Sequence, residues 1–322
     1  MSHNKPIRTI KKTWDIFYKT SRLHKFLYFL AALVCLSLLT NYGQAQMEGF
    51  TEKTNEFNMK EEVSQIYDDF YADIYDDLVF SKIKNDYEIG KIIEYTKATE
   101  KSVILDVGCG TGHHVSSFLS HGYKATGIDI SPSMVKKAKI NYPQMNFQVA
   151  DALDTMTFTA GAFTHITCLY FTIYYIENKR KFFENCMRWL MPGGFLAVHI
   201  VNRDKFDPIL PAGSPFGVIS PQNYTKKRIT STTVKFDQFE YKSNFVLKDK
   251  IKKAHDPNAL MVETFKNNQN GNVRRNEHKL YMLTQAEILD IAKAAGFIVH
   301  SKVDLLKCQY ENQYVYILEK PE

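Results

Sequence analysis

Val103-Ile104-Leu105-Asp106-Val107-Gly108-Cys109-Gly110-Thr111-Gly112 decides how the chain folds. Val-Ile-Leu without alternation reads as a strand buried on both faces. Glycine then stands at 108, 110 and 112, so the strand ends in a tight turn where the backbone comes close to something. His113 to Ser120 can open a helix after the turn. Strand, turn and helix together offer backbone N–H groups at a helix N-terminus, a site suited to an anionic or polar ligand. The spacing Gly-x-Gly-x-Gly differs from the Gly-x-Gly-x-x-Gly of dinucleotide oxidoreductases, which argues against a nicotinamide enzyme.

The following segments repeat the theme. Tyr123 to Ile130 reads as a second strand ending at Asp129, with Ser131-Pro132 opening a helix. Asn146 to Ala152 is a third, ending at Asp151, and Phe163 to Tyr170 a fourth. A helix from Asn178 to Leu190 turns at Pro192-Gly193-Gly194 into a fifth strand, Phe195 to Val201. Acids at the carboxyl ends of successive strands point into the crevice where open α/β sheets bind ligands.

Taken in order, Leu105 to Gly112, Gly127-Ile128-Asp129-Ile130-Ser131, Ala150-Asp151-Ala152 and Leu190 to Leu196 resemble the class I S-adenosylmethionine-dependent methyltransferases, in particular their small-molecule branch. The resemblance spans about residues 60–320 and is most specific up to residue 201. It implies an α/β, Rossmann-like, doubly wound seven-stranded sheet of strand order 3-2-1-4-5-7-6. It also implies S-adenosylmethionine as cofactor. Asp106, Gly108, Cys109, Gly110 and Gly112 would hold its methionine end, and Asp129 its ribose diol. Ile130 and Met134 would flank adenine, Asp151 would accept from the adenine amino group, and Ala152 would donate by its backbone. Leu169 and Tyr87 complete the expected cofactor set. Methyl transfer from a sulfonium needs positioning more than a metal or covalent nucleophile, and positioning supplies ~7–11 kcal/mol when geometry is right. No metal site is therefore expected.

The acceptor side is read from aromatics. Phe171 to Ile176 follows the fourth strand, and tyrosine faces attract sulfonium or ammonium cations. Tyr174 and Tyr175 are the substrate-side candidates. Apolar residues from Val63 to Leu78 recur at helical spacing, and the family's use of such a helix as a lid makes Tyr75 a further candidate. His199, at the end of the fifth strand, is the candidate base. His113 and His114 are adjacent, so their side chains diverge by about 100° and do not share one metal.

The ends of the chain differ in character. Residues 1–25 carry seven Lys/Arg against one acid, which accounts for the whole net charge of +6. The global charge is thus no argument for nucleic-acid binding. Phe26 to Leu39 is an uncharged run, expected with its flanks (26–42) to be a single-pass membrane anchor or a signal peptide, and 43–60 a linker. Which side of the membrane would hold the domain stays open. Five cysteines without a Cys-x-x-Cys pair speak against an oxidising compartment.

The domain is expected over 61–322, with an antiparallel β insertion at about 203–283 after the fifth strand. Strand-like runs lie at 233–241, 244–247, 260–265 and 277–283. From Tyr224 to Leu280 there are 13 Lys/Arg against 6 Asp/Glu, so the insertion is by default a solvated basic face and, more sharply, a candidate surface for an acidic substrate, an RNA or a lipid headgroup, or for a homodimer contact. Thr284-Gln285-Ala286-Glu287 is a capping box opening a helix through Ala295, ended by Gly296. Phe297 to Leu305 and Gln313 to Leu318 supply the last two strands. The expected activity is methyl transfer to a nucleophile of a small molecule or lipid. RNA or protein methylation and a non-catalytic membrane scaffold are the alternatives.

Overall fold

The computed structural model describes residues 57–210, 222, 225, 227–248 and 256–322. The basic segment, the apolar run 26–42 and most of the expected linker lie outside the described residues. Among the described residues no helix is long and apolar enough to cross a membrane.

The elements in chain order are β1 (Phe57–Lys60), α1 (Val63–Ile66), α2 (Asp69–Val79), α3 (Lys82–Thr96), β2 (Val103–Val107), α4 (His113–Ser120), β3 (Lys124–Asp129), α5 (Pro132–Asn141) and β4 (Asn146–Val149). There follow β5 (Phe163–Cys168), α6 (Thr172–Tyr175), α7 (Lys179–Trp189), β6 (Leu190–Val201), β7 (Ser231–Lys235), β8 (Phe239–Leu247), β9 (Ala259–Asn267), β10 (Val273–Leu280), α8 (Gln285–Ala294), β11 (Ile298–Asp304) and β12 (Gln313–Glu319).

One sheet has seven strands in the order β4-β3-β2-β5-β6-β12-β11. The first five are parallel, and β12 and β11 close the edge antiparallel. This is the expected order, 3-2-1-4-5-7-6. Both faces of β2 are covered, as its unbroken apolar run demands. Ile104 packs with Ile89 and Ile92 of α3 and Phe118 of α4. Leu105 packs on the other side with Phe182, Phe183 and Trp189 of α7. Truncating the fully buried Trp189 would cost ~3–5 kcal/mol.

A second sheet of five strands, β1-β10-β9-β8-β7, is the inserted excursion. Its strands are antiparallel except β1, which pairs parallel with β10. Phe57–Lys60, expected as linker, is thus an edge strand of the insertion, its own side chains half-exposed. The expected run 233–241 is two strands, because Phe236 N–H donates to Phe239 C=O at 2.9 Å and closes a turn. The run expected at 277–283 is β10, displaced to 273–280.

Two helix readings also change. The expected helix over 63–78 breaks after Ile66. Asp68 accepts from Tyr71 N–H at 3.1 Å and caps a new helix, α2. Strand β6 begins at Leu190 rather than Phe195, with Gly193 at φ 68° inside it and its N–H bonded to Lys320 C=O. The capping box stands as read: Thr284 Oγ1 and the Glu287 carboxylate bond each other's backbone N–H at 3.3 and 2.7 Å.

Candidate functional site

A cavity of about 420 Å³ opens at the carboxyl ends of the parallel strands, between them, the helices α1 and α2, and the insertion sheet. The glycine turn forms its floor. Gly108, Gly110 and Gly112 have φ of 70°, 52° and 95°, a region that favours glycine. At Gly108 a Cβ would stand 2.5 Å from Thr172 Cγ2 and Oγ1, so the turn and α6 touch there only because the side chain is absent.

Four of the turn's N–H groups are taken up within the fold. Gly108 and Cys109 donate to Ile128 C=O at 2.8 and 2.9 Å, and Gly112 donates to Cys109 C=O at 3.0 Å. Gly110 donates to Asp129 Oδ2 at 3.0 Å. The turn therefore holds Asp129 in place, and the carboxylate, rather than a row of amides, meets the cavity. Ser131 N–H binds Asp129 Oδ1 at 2.9 Å. Burial pushes the Asp129 carboxyl up despite these two backbone donors.

Of the expected cofactor residues, Gly108, Gly110, Asp129, Ile130, Met134, Asp151 and Ala152 line the cavity together. Asp106 lies behind it, 1% exposed, accepting from Thr167 Oγ1 at 2.6 Å. Its Oδ2 is buried without a hydrogen bond, 3.9 Å from His114 Nδ1. Burial raises the Asp106 carboxyl.

The other four do not reach the cavity. The Cys109 side chain turns to the opposite side, into a cluster with Val115, Val135 and Phe147. Gly112 serves packing, since a Cβ there would stand 2.7 Å from Phe147. Leu169 is buried with Ile89, Ile104 and Phe118 on the α3–α4 face. Tyr87 sits far along α3, its hydroxyl on Asp304 C=O at 3.3 Å.

On the acceptor side the structure separates two neighbours. Tyr174 is fully buried, and its hydroxyl accepts from Val201 N–H at 2.8 Å, so it is a core residue. Tyr175, one residue on in a single-turn helix, lines the cavity. His199 is likewise no cavity base. It is buried, with Nδ1 bonded to Tyr170 C=O and Nε2 3.0 Å from the Gln313 side-chain amide. Burial, with Lys84 adding to it, lowers its pKa to about 4. Tyr75 lines the cavity, with its ring over Gly110.

Helix α2 is the roof. Its acids bind α5, the glycine turn and α4. Lys136 and Lys137 of α5 pair with Asp69 and Asp73 at 3.0 and 2.7 Å. Asp76 accepts from Thr111 Oγ1 at 2.6 Å and lies 2.9 Å from His113 Nε2. His113 stacks on Phe80, while His114 turns to Glu88, so the two histidines diverge. Among the described residues no cluster could hold a metal ion.

Several lining residues were not legible. Tyr170, at φ 52°, carries the strain of a non-glycine left-handed residue beside the cavity. Tyr67 comes from the break between α1 and α2, Tyr71 from the first turn of α2, and Glu263 and His278 from the insertion. Tyr67 Oη donates to Tyr175 Oη at 2.9 Å, Tyr175 Oη lies 2.7 Å from His278 Nδ1, and His278 Nε2 lies 2.7 Å from Glu263 Oε2. Tyr71 and Tyr241 donate to Glu263 Oε1 at 3.1 and 2.9 Å. Burial alone would raise the Glu263 carboxyl, but His278, Tyr241 and Tyr71 together hold it below the usual range. The inward face of β10, with Arg274, Asn276 and His278 alternating in a buried strand, was the available signal.

Residues 104–194 match the family described as a methyltransferase domain. The chain is 33% identical over 145 residues to the dTDP-4-amino-2,3,4,6-tetradeoxy-D-glucose N,N-dimethyltransferase of Saccharopolyspora spinosa, covering 42% of this chain and 57% of that protein. It is 31% identical over 118 residues to the ubiquinone biosynthesis O-methyltransferase of Coxiella burnetii, covering 35% of this chain and 50% of that protein. The chain thus spans about half the length of these curated relatives. Among solved structures, an S-adenosylmethionine-dependent methyltransferase from Clostridium acetobutylicum aligns with TM-score 0.58 at 16% identity, over 78% of this chain and 98% of that one. The CcbJ methyltransferase from Streptomyces caelestis aligns with TM-score 0.57 at 17% identity, over 80% and 98%. These likenesses carry the fold.

Proposed function

We propose that the chain transfers a methyl group from S-adenosylmethionine to a small-molecule acceptor. The carrying observation is that Asp129 and Asp151, at the carboxyl ends of β3 and β4, line one cavity with the glycine turn and an opposing wall of tyrosines. The curated relatives above, named for a sugar amine and for a ubiquinone precursor pathway, support a small acceptor.

The residues present fit the cofactor. Asp129 is held by two backbone donors with its carboxylate at the cavity wall, placed for a ribose diol. Ile130 and Met134 supply an apolar slot beside it, and Asp151 an acceptor at its end. The unpartnered Asp106 Oδ2 beneath the turn suits a cationic amino group acting through a water. When bound, S-adenosylmethionine supplies an already activated methyl. The protein's share is to orient the acceptor between Tyr75 and Tyr175 and to exclude water under α2, which positioning alone rewards by ~7–11 kcal/mol.

The test is calorimetric titration of S-adenosylmethionine and S-adenosylhomocysteine into the full chain, with Asp129→Asn as control. Asn keeps an oxygen for Gly110 N–H while losing the charge. Micromolar binding that falls 10–100-fold in the variant supports the reading, matching the ~1.5–3 kcal/mol of hydrogen bonds to a charged group. Absence of binding by folded protein overturns it. The proposal carries residues 26–42 as a membrane anchor, tested by whether alkaline carbonate releases the full chain from membranes.

A further inference from the structure

Behind the tyrosine wall, four side chains from three parts of the chain make one hydrogen-bonded line. Tyr67 follows α1, Tyr175 ends α6, His278 lies on β10 and Glu263 on β9. The line has a direction. Glu263 is fed by Tyr71 and Tyr241 as well as His278, and a carboxylate so surrounded only accepts. Nε2 of His278 therefore carries a proton, and in the neutral imidazole Nδ1 is the base facing the Tyr175 hydroxyl. Tyr175 donates to it and accepts from Tyr67. From Tyr67 to Glu263 each member of the line is bonded to the next. Tyr67, Tyr175, His278 and Glu263 all line the cavity wall.

The charge of the cavity is as one-sided as the line. Seven carboxylates line it against a single lysine among the described residues, and that lysine, Lys279, is bound to Glu61 at 2.8 Å. Asp129 and Asp151 belong to the cofactor side. With Glu61 taken by Lys279, Glu62, Glu177, Asp207 and Glu263 line the rest of the cavity, Asp207 with the Arg228 charge beside it. A phosphate or carboxylate on the acceptor would meet these charges at close range, whereas a cation would be attracted by them and by the tyrosine faces.

We propose that the methyl acceptor is an amine entering as its ammonium ion, and that the Tyr67–Tyr175–His278–Glu263 line removes its proton. This rests on the methyltransferase reading and goes further in naming the acceptor class and the residues that activate it. The ammonium gives one proton to the tyrosine hydroxyls, each passes on its own, and His278 becomes an imidazolium beside Glu263. The freed nitrogen lone pair forms the N–C bond as the donor's C–S bond breaks, the sulfur leaving as a neutral thioether. The product departs as the methylated ammonium, and His278 returns its proton to solvent. Tyr67 and Tyr175 face the acceptor. His278 is the proton store, and Glu263 is a positioning residue. The groups packed on the line are Tyr71 and Tyr75 from α2 and Tyr241 from β8, with Asn276 Nδ2 3.3 Å from Glu263 Oε2.

The experiment uses full chain saturated with S-adenosylhomocysteine. It is titrated with cyclohexylammonium, cyclohexanol and cyclohexanecarboxylate, three probes of one shape and different charge. The ammonium is expected to bind at least about tenfold tighter than the alcohol, with the carboxylate excluded. Equal binding of the three, preference for the carboxylate, or no ammonium binding overturns the amine assignment. Failure of S-adenosylhomocysteine itself to bind overturns the methyltransferase reading instead. With S-adenosylmethionine, cyclohexylamine turnover in Tyr175→Phe and His278→Gln should fall about 10²-fold at pH 7, the usual worth of a positioned base. It should recover as pH approaches the amine's own pKa, where no proton need be removed. A uniform loss at all pH values, in variants whose thermal midpoint is unchanged, overturns the relay. Glu263→Gln, read by the same pH profile, separates positioning from a folding defect.

Discussion

Gly108 and Thr172 meet without a side chain between them: a Cβ on Gly108 would lie 2.5 Å from both Cγ2 and Oγ1 of Thr172. The contact locks the glycine turn to the start of α6, and so sets the glycine floor of the cavity against its tyrosine wall. Gly108→Ala should therefore suffer twice, from the clash and from φ 70°. Thr172→Ala in the same chain removes the two closest atoms and leaves only Cβ at 3.1 Å. The single variant is expected to lose about 3 kcal/mol or more, and the double variant to recover all but the ~1–3 kcal/mol of backbone strain. Urea denaturation of the four members of the cycle measures this; additive losses would show that the contact carries none of the cost.

Arg274 ties the roof to the insertion. It is fully buried, bonds both Asp68 carboxylate oxygens at 2.9 and 2.8 Å, and donates to Ile66 C=O at 2.9 Å and to Asn276 Oδ1. Asp68 also caps α2. Arg274→Met keeps the bulk over Phe70 but strands these acceptors. The loss is expected near ~2 kcal/mol, below the ~3–5 kcal/mol of a fully buried pair because Asp68 is a third exposed. Amide exchange should quicken first in residues 63–79. Protection unchanged there would show that α1 and α2 hold without the clasp.

Tyr174 and Tyr175 should part company under the same substitution. Tyr174→Phe leaves the buried Val201 N–H without its hydroxyl partner, at about 1–3 kcal/mol, and should leave ligand binding alone. Equal thermal midpoints for Tyr174→Phe and the native chain would contradict this.

Two buried histidines make the fold acid-sensitive. Burial lowers His199 and His165 to about 4 from an ordinary 6.5. The unfolded chain takes up protons between those values while the folded one does not, so stability is full above pH 6.5 and is lost as pH falls toward 4. For His199 the loss is up to ~3 kcal/mol. The thermal midpoint should drop through that window and drop less in His199→Gln. A flat profile in the native chain would refute the burial argument.

The sequence by itself determined the seven-stranded sheet and half of the site. The reason is that local rules governed those residues: an unbroken apolar run can only be an interior strand, glycine at positive φ marks a turn, and acids at strand ends fall at one edge. Asp129 and Asp151 were legible on that account, and Ile130 and Met134 through the resemblance to the methyltransferases. Tertiary structure decided the rest. Whether Tyr174 or Tyr175 faces the cavity depends on the rotation of a one-turn helix that no periodicity fixes. His199 was lost as a base because Tyr170 C=O and Gln313, 29 and 114 residues away, close over it. Glu263 and His278 were hidden because β10 buries Arg, Asn and His on its inner face, and polar residues in a strand look solvated until the partners that satisfy them, Asp68, Tyr71 and Tyr175, arrive from elsewhere in the chain.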